Sequence, residues 1–294
     1  MHYTTIAIIY NPNSTGPGKK MAESLKRSLK KRMPDQQVDL ISTEYAGHAE
    51  ELAYKLSKAT KKPLIISSSG DGGYHEVVNG AMRAQKEGAT PYTGILPAGN
   101  ANDHYKNLHK KDLVESIVNN DYLTIDILKL KGKVGRKTIV RYGHSYIGFG
   151  VTPKIGKILN RTKLNFFNQI WIVAKSLITI HSIRLVIKGK LGHYDSVILS
   201  NVDKMSKYLK VSRPSKITDG KFEVSIFPRR ERLHLILMLI RASVLGIDED
   251  AQVKRFSLKT VRRTLVQVDG EITKLDRRSR VTVTIEQKAL RCFI

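Results

Sequence analysis

The densest run of chemically capable residues is Ser69-Gly70-Asp71-Gly72-Gly73-Tyr74-His75-Glu76-Val77-Val78-Asn79-Gly80, set between an apolar run and a helical pattern. Three glycines around one aspartate let the backbone approach a ligand closely, and the following helix start offers N–H groups to a phosphate. A tight strand-to-helix turn accounts for the glycines equally well. Asp71 is harder to explain that way, because it falls at the carboxyl end of a strand, where open α/β sheets place their ligands. A second turn, Leu96-Pro97-Ala98-Gly99-Asn100-Ala101-Asn102-Asp103, again combines small residues with a carboxylate. A third, Asn11-Pro12-Asn13-Ser14-Thr15-Gly16-Pro17-Gly18-Lys19, lacks the G-x-x-x-x-G-K-[ST] pattern, and the Gly70 turn lacks G-x-G-x-x-G, so neither signature nucleotide loop is present. Three loops at one sheet edge can still surround a nucleotide.

The elements around these loops alternate. Apolar runs at Ile6–Tyr10, Val38–Ser42, Leu64–Ser67 and Gly94–Leu96 predict strands. Met21, Leu25, Leu29 and Met33, then Ala49, Leu52, Ala53 and Leu56, then Val77, Val78 and Ala81, and finally Leu113, Val114 and Ile117 predict helices. This rhythm predicts an α/β domain with a parallel, Rossmann-like sheet over residues 1–122. Beyond it, strands are expected at Leu123–Leu130, Thr138–Ile147, Ile183–Ile187, Ser196–Ser200, Phe222–Phe227, Phe256–Leu258, Thr264–Val268 and Val281–Ile285, with helices around 164–181 and 233–245. A β-rich second domain of two packed sheets over residues 123–285 is the expectation, with residues 286–294 returning to the first. The boundary has no flexible linker, which implies a shared cleft.

Charge narrows the partner. The 294 residues carry 51 Lys and Arg against 26 Asp and Glu, a net +25, so an anion is expected: nucleic acid, an acidic membrane surface or a phosphorylated molecule. Between Asp126 and Asp195 there are 14 Lys and Arg and no carboxylate. The single cysteine, Cys292, cannot pair within the chain, and no CxxC is present, which fits a reducing cytoplasm. The start has neither a basic n-region nor a cleavage site, and the apolar stretches 170–180 and 233–245 fall short of the ~20 residues of a spanning helix. Any membrane contact is expected to be peripheral. None of the nine histidines has zinc-ligand spacing. Asp219-Gly220 and Asp269-Gly270 are good turns in their own right, Glu271 alone passes as a solvated charge, and His75 as a cap or packing residue. The helical pattern of Phe166, Phe167, Ile170, Trp171, Val173 and Leu177 suits core packing ahead of lipid contact.

The order Tyr10-Asn11-Pro12, Ser69 to Gly80, Pro97 to Asp103, Ile125-Asp126, Ile147-Gly148-Phe149-Gly150, Thr218 to Val224 and Val268-Asp269-Gly270-Glu271 resembles the diacylglycerol kinase catalytic-domain family. That family includes bacterial diacylglycerol kinases, phosphatidylglycerol-kinase-like proteins and sphingosine kinases, with NAD kinases and 6-phosphofructokinases as distant relatives. The resemblance implies an ATP-dependent lipid kinase, with diacylglycerol as the first acceptor and phosphatidylglycerol, a sphingoid base or NAD as alternatives. It implies that Asn11, Thr43, Ser69, Gly70, Asp71, Gly72, Gly73, Tyr74, His75 and Asn100 line the ATP between the two domains. Asp71 would act through a catalytic Mg²⁺ or as the base, Glu271 is preferred as the base toward the lipid hydroxyl, and Asp126 would support the network. A structural Mg²⁺ would be held by Asp219 with the carbonyls of Lys216 and Lys221.

Two departures stand out. The family's usual Gly-Gly-Asp-Gly-Thr is Ser69-Gly70-Asp71-Gly72-Gly73 here, removing a hydroxyl worth about 1 kcal/mol, and its usual Asn before Glu is His75. Sphingosine kinases share Ser-Gly-Asp-Gly and His-Glu-Val-Val-Asn-Gly, whereas Asn102-Asp103 leans toward the bacterial diacylglycerol kinases. The implied setting is the cytoplasmic face of a membrane, with an anionic surface as peripheral partner, a homodimer compatible, and no specific nucleic acid. A non-catalytic binder of membrane or nucleic acid ranks last.

Overall fold

A computed structural model describes residues 3–14, 16–99, 102–108, 111–151, 153, 182–202, 204–205, 209–210, 216–229 and 251–293. The expected helices around 164–181 and 233–245 lie outside these residues, as does Asn100. The chain divides into two compact units, Met1–Ile127 with Gln287–Ile294, and Leu128–Glu286.

The first unit runs β1 (Thr5–Tyr10), α1 (Gly18–Arg32), β2 (Val38–Ser42), α2 (His48–Ala59), β3 (Pro63–Ser69), α3 (Asp71–Lys86), β4 (Tyr92–Pro97), α4 (Asp103–Leu108), α5 (Leu113–Val118) and the start of β5 (Leu123–Val134). The second continues through β6 (Lys137–Gly143), β7 (Tyr146–Gly150), β8 (Ile183–Ile187), β9 (Lys190–Ser200), β10 (Lys204–Met205), β11 (Leu209–Lys210), β12 (Phe222–Pro228), β13 (Ala251–Val253), β14 (Arg255–Thr260), β15 (Thr264–Val268) and β16 (Glu271–Leu275). A long last strand, β17 (Arg280–Phe293), starts in the second unit and ends in the first.

In the first unit β2, β1, β3 and β4 are parallel, and the end of β17 adds a fifth parallel strand through Arg291 opposite Tyr92. Alternation along β1 and β3 sends Ile6, Ile8, Leu64 and Ile66 to one face with Leu25 and Leu29 of α1 and Ile117 of α5. Ile9 and Ile65 face the other way, onto Ala49 and Ala53 of α2 and Val77 of α3. Both faces are covered, which is why these strands read as continuous apolar runs.

The antiparallel second unit follows one hydrogen-bonded path, β16-β15-β7-β9-β8-β14-β17. Its inward side chains, among them Leu130, Phe149, Leu199, Phe222, Val266 and Val283, share a single core. The expected strand Thr138–Ile147 is instead two strands, broken at His144-Ser145. The cause is Asp269, whose buried carboxylate takes the N–H groups of His144, Ser145 and Tyr146 at 2.7, 2.9 and 2.9 Å and so turns the chain there. The final strand is also longer than its apolar stretch, because β17 passes Glu286, Gln287 and Lys288 before reburying Leu290 and Cys292. Among the described residues no helix is long and apolar enough to cross a membrane.

Where β17 joins the parallel sheet, the fully buried Tyr74 hydroxyl lies 3.0 Å from Cys292 Sγ and 3.1 Å from Thr93 Oγ1. Burial outweighs these hydrogen bonds and pushes the Cys292 thiol up from 9.0 to about 11. A raised folded-state pKa contributes stability that is whole below the unfolded value and is lost as pH climbs through the folded one. The stability difference between the wild type and Cys292→Ala should therefore shrink between pH 9 and about 11, by up to about 2 kcal/mol in denaturant titrations. A difference that stays constant across that range would contradict the burial argument.

Candidate functional site

The carboxyl ends of β1, β3 and β4 lie side by side, with Tyr10 opposite Ser68 and Ser69 opposite Pro97, so the three loops that follow them emerge at one sheet edge. They touch through glycines. A Cβ on Gly99 would lie 2.4 Å from the Cα of Gly70, and one on Gly16 would lie 2.1 Å from the carbonyl oxygen of Ala98. Neither position tolerates a side chain without separating the loops. The Ala98 N–H donates to Ser69 O at 3.0 Å, and Ser68 Oγ donates to Gly18 O at 2.7 Å. Asn102, at φ 52°, ties the third loop by accepting the Gly99 N–H at 2.9 Å and donating to the carbonyls of Pro97 and Gly99.

Helix α3 opens at this edge directly from Gly70, with no side chain capping it. The first N–H groups of a helix have no partner within it and carry the positive end of its dipole, so an anion is favoured there. Asp71 occupies the first helical position, and its Oδ1 accepts the backbone N–H of His104 in α4 at 3.1 Å. That bond fixes the carboxylate beside the glycine contact. Helix α1 starts at the same edge with Gly18, Lys19 and Lys20 and has no acid in its first turn. Asn11 shapes the first loop through Oδ1, which accepts the Asn13 N–H at 2.8 Å, and Thr43 extends the β1–β2 pairing by donating its N–H to Tyr10 O.

The rest of the first motif is explained by packing. Glu76 accepts the N–H groups of Gly47 and Ala49 at 2.9 and 3.1 Å, capping α2 in place of a side chain from α2 itself. A Cβ on Gly80 would lie 2.2 Å from Glu50 O, so this glycine permits α2 and α3 to pack closely. Tyr74 is core, its amide donating to Gly70 O and its hydroxyl held at β4 and β17. His75 is 3% exposed, with Asn79 Nδ2 donating to its carbonyl at 2.9 Å. Asp126 is fully buried on β5 and accepts the N–H of Lys288 at 2.6 Å.

In the second unit Glu271 is an exposed residue immediately after a two-residue turn, Asp269 at φ 47° and Gly270 at φ 102°, with Val268 opposite Glu271. Both positive dihedrals suit a type I′ hairpin. The three N–H groups on the Asp269 carboxylate fix this turn, a positioning role that sequence reasoning assigned to nothing. The available signal was an aspartate, a residue tolerant of left-handed backbone, directly before Gly270. Asp219 lies in an exposed turn, its Oδ1 accepting the Lys221 N–H at 2.9 Å and its N–H donating to Lys216 O at 3.1 Å. Among the described residues no three His, Cys, Asp or Glu side chains form a metal cluster.

The exchange of residues in Ser69-Gly70-Asp71-Gly72-Gly73 is reciprocal. A Cβ on Gly73 would lie 2.3 Å from Ser69 Oγ, so the Ser69 side chain occupies the space a larger residue 73 would need. Its hydroxyl pairs with Ser67 Oγ at 2.6 Å in a buried position.

Residues 5–130 match the family model of the diacylglycerol kinase catalytic domain. A mitochondrial acylglycerol kinase of Xenopus laevis is 29% identical over 107 residues, which are 33% of this chain and 24% of that protein. The alignment thus spans about a quarter of that relative. A diacylglycerol kinase structure from Bacillus anthracis str. Sterne superposes with TM-score 0.69 over 100% of this chain and 97% of that one, at 14% identity. A second, candidate diacylglycerol kinase from the same organism gives TM-score 0.70 over 100% and 99%, at 16% identity. At such identity these structures establish the shared fold.

Gly73→Thr should lower the melting temperature, at a cost of about 1–3 kcal/mol for overpacking, and Ser69→Gly in the same chain should restore most of the loss. Additive losses in the double variant, read by thermal unfolding of all four proteins, would show that the two positions are not coupled.

Proposed function

We propose, from the premise that through residues 5–130 this chain belongs to the diacylglycerol kinase catalytic-domain family, that it is an ATP-dependent kinase of a lipid hydroxyl, with diacylglycerol the foremost acceptor. The observation that carries the proposal is the glycine-locked edge around Gly16, Gly70 and Gly99, where α3 presents its N-terminus beside Asp71. Backbone amides packed this closely suit a triphosphate better than any uncharged ligand.

In this account the first unit binds the nucleotide, with Asn11, Thr43, Ser69, Gly70, Gly72, Gly73 and Asn100 around the phosphates. Tyr74 and His75 support α3 from within. The acceptor oxygen attacks the γ-phosphorus, the bond from the γ-phosphorus to the β–γ bridging oxygen breaks, and ADP leaves. Glu271 takes the hydroxyl proton; Asp71 would hold a phosphate-bound Mg²⁺ directly or through its waters, and Asp126 keeps β5 and β17 in register through Lys288. Mg²⁺ bound to the phosphates would offset their charge.

The residues present fit such an ion, since a phosphate-bound Mg²⁺ keeps several waters and takes only one or two carboxylates, as Asp71 offers. A second, water-rich Mg²⁺ at the exposed Asp219 turn would take that carboxylate with the carbonyls of Lys216 and Lys221. The second unit serves the lipid, and the enzyme works at an anionic membrane face.

Labelled ATP with Mg²⁺ and micellar diacylglycerol, phosphatidylglycerol or a sphingoid base should yield a labelled lipid phosphate, and NAD, as a soluble control, should take no label. Asp71→Asn and Glu271→Gln should each lower kcat by about 10²- to 10⁴-fold with unfolding curves unchanged. Label appearing in NAD alone, or in no acceptor, would sink the proposal.

A further inference from the structure

One end of the second unit is built from three turns laced into a single surface. The β5–β6 turn is joined to the β16–β17 turn by Asp276 N–H to Lys133 O at 3.0 Å and Lys133 N–H to Ser279 Oγ at 2.9 Å. The β14–β15 connection is joined to the same turn by Thr260 N–H to Ser279 O at 3.0 Å and Arg278 N–H to Thr260 O at 2.9 Å. Lys133 and Arg136 project from the first turn, Arg262 and Arg263 from the second, and Arg277 and Arg278 from the third, all exposed. None of the six takes part in an ion pair among the described residues. Asp276 is the only carboxylate in the three turns.

Behind these turns Lys259 of β14 and Arg280 of β17 stand directly opposite in antiparallel register, both exposed. Like charges at that position are destabilising. A surface that gathers cations on rigid turns, opposes two of them across a strand pair and supplies almost no acid to neutralise them is matched to an external polyanion.

We infer that this turn surface docks the protein on an anionic lipid bilayer. The inference rests on the lipid-kinase reading for its choice of polyanion, and on the absence of any aromatic among Lys131–Lys137, Lys259–Arg263 and Asp276–Arg280, since single-stranded nucleic acid is held by stacking on aromatic rings. Each basic side chain near an anionic bilayer adds an increment of binding that salt screens. The surface is a tether distinct from the Glu271 turn: β15 spans the five residues Thr264–Val268 between them, roughly 17 Å at about 3.4 Å per residue.

The test compares the full chain with Arg262→Glu/Arg263→Glu/Arg277→Glu and with Arg27→Glu/Lys30→Glu/Lys31→Glu on the exposed face of α1, which changes net charge equally. Co-sedimentation with phosphatidylcholine vesicles containing phosphatidylglycerol, without ATP, should show the turn variant losing on the order of a hundredfold in partition coefficient. The α1 variant should stay within a few-fold of wild type, and added salt should weaken both. Equal losses in the two variants would show that binding follows net charge, and wild-type binding by the turn variant would show that the surface is idle; either overturns the inference. Displacement of the protein from the vesicles by duplex DNA at physiological salt would overturn it in favour of nucleic acid. Unfolding curves establish that both variants fold. Turnover of a short-chain diacylglycerol in uncharged micelles should be the same in all three proteins. If no protein turns over lipid while vesicle binding still divides as stated, the kinase reading fails and the docking surface stands.

Discussion

The backbone-to-backbone approach of Gly70 and Gly99 is the constraint on which the candidate site depends. At 2.4 Å from the Cα of Gly70, the position of a Gly99 Cβ lies inside van der Waals contact, so the loops after β3 and β4 meet only because both residues lack side chains. Gly16 repeats the condition against Ala98. Bringing three loops this close concentrates main-chain N–H groups where α3 begins, and the free energy of aligning those dipoles is spent on folding before any ligand arrives. Asp71 is then held beside them by the His104 amide.

A different device governs the second unit. There a buried carboxylate, Asp269, would be costly to hold away from water if its lone pairs were unsatisfied. Three backbone N–H groups from the β6–β7 turn answer that cost and hold Asp269 in a left-handed conformation, leaving Glu271 at a fixed place on the next strand. In both units an acid is placed by backbone amides from another segment: the His104 N–H fixes Asp71 in one, and the His144, Ser145 and Tyr146 N–H groups on Asp269 set the turn that leads into Glu271 in the other.

Much of the first unit was legible because parallel strands covered on both faces are almost wholly apolar, as Leu64-Ile65-Ile66 is, and because Met21, Leu25 and Leu29 of α1 recur at every fourth residue. The second unit was less so. The break at His144-Ser145 comes from a carboxylate more than a hundred residues away, which no local pattern records, and β16 alternates too weakly to stand out. The motif 69–80 was visible, but its division of labour was not: Glu76 and Gly80 serve α2, Tyr74 serves the core, and only the residues up to Gly73 face the sheet edge closely. Ser69 and Gly73 look like two separate departures from a motif in one dimension and are one packing decision in three. The cationic turns were hidden for the same reason, since their arginines are scattered between residues 133 and 280 and only strand pairing assembles them.

Calorimetric titration with a Mg²⁺ complex of a non-hydrolysable ATP analogue tests the central claim most directly, comparing the wild type with Gly99→Ala. The glycine lock predicts saturable binding by the wild type and loss of at least about tenfold in affinity for the variant, whose added methyl forces the two loops apart. Equal affinities in the two proteins, or no binding by a folded wild type, would contradict it.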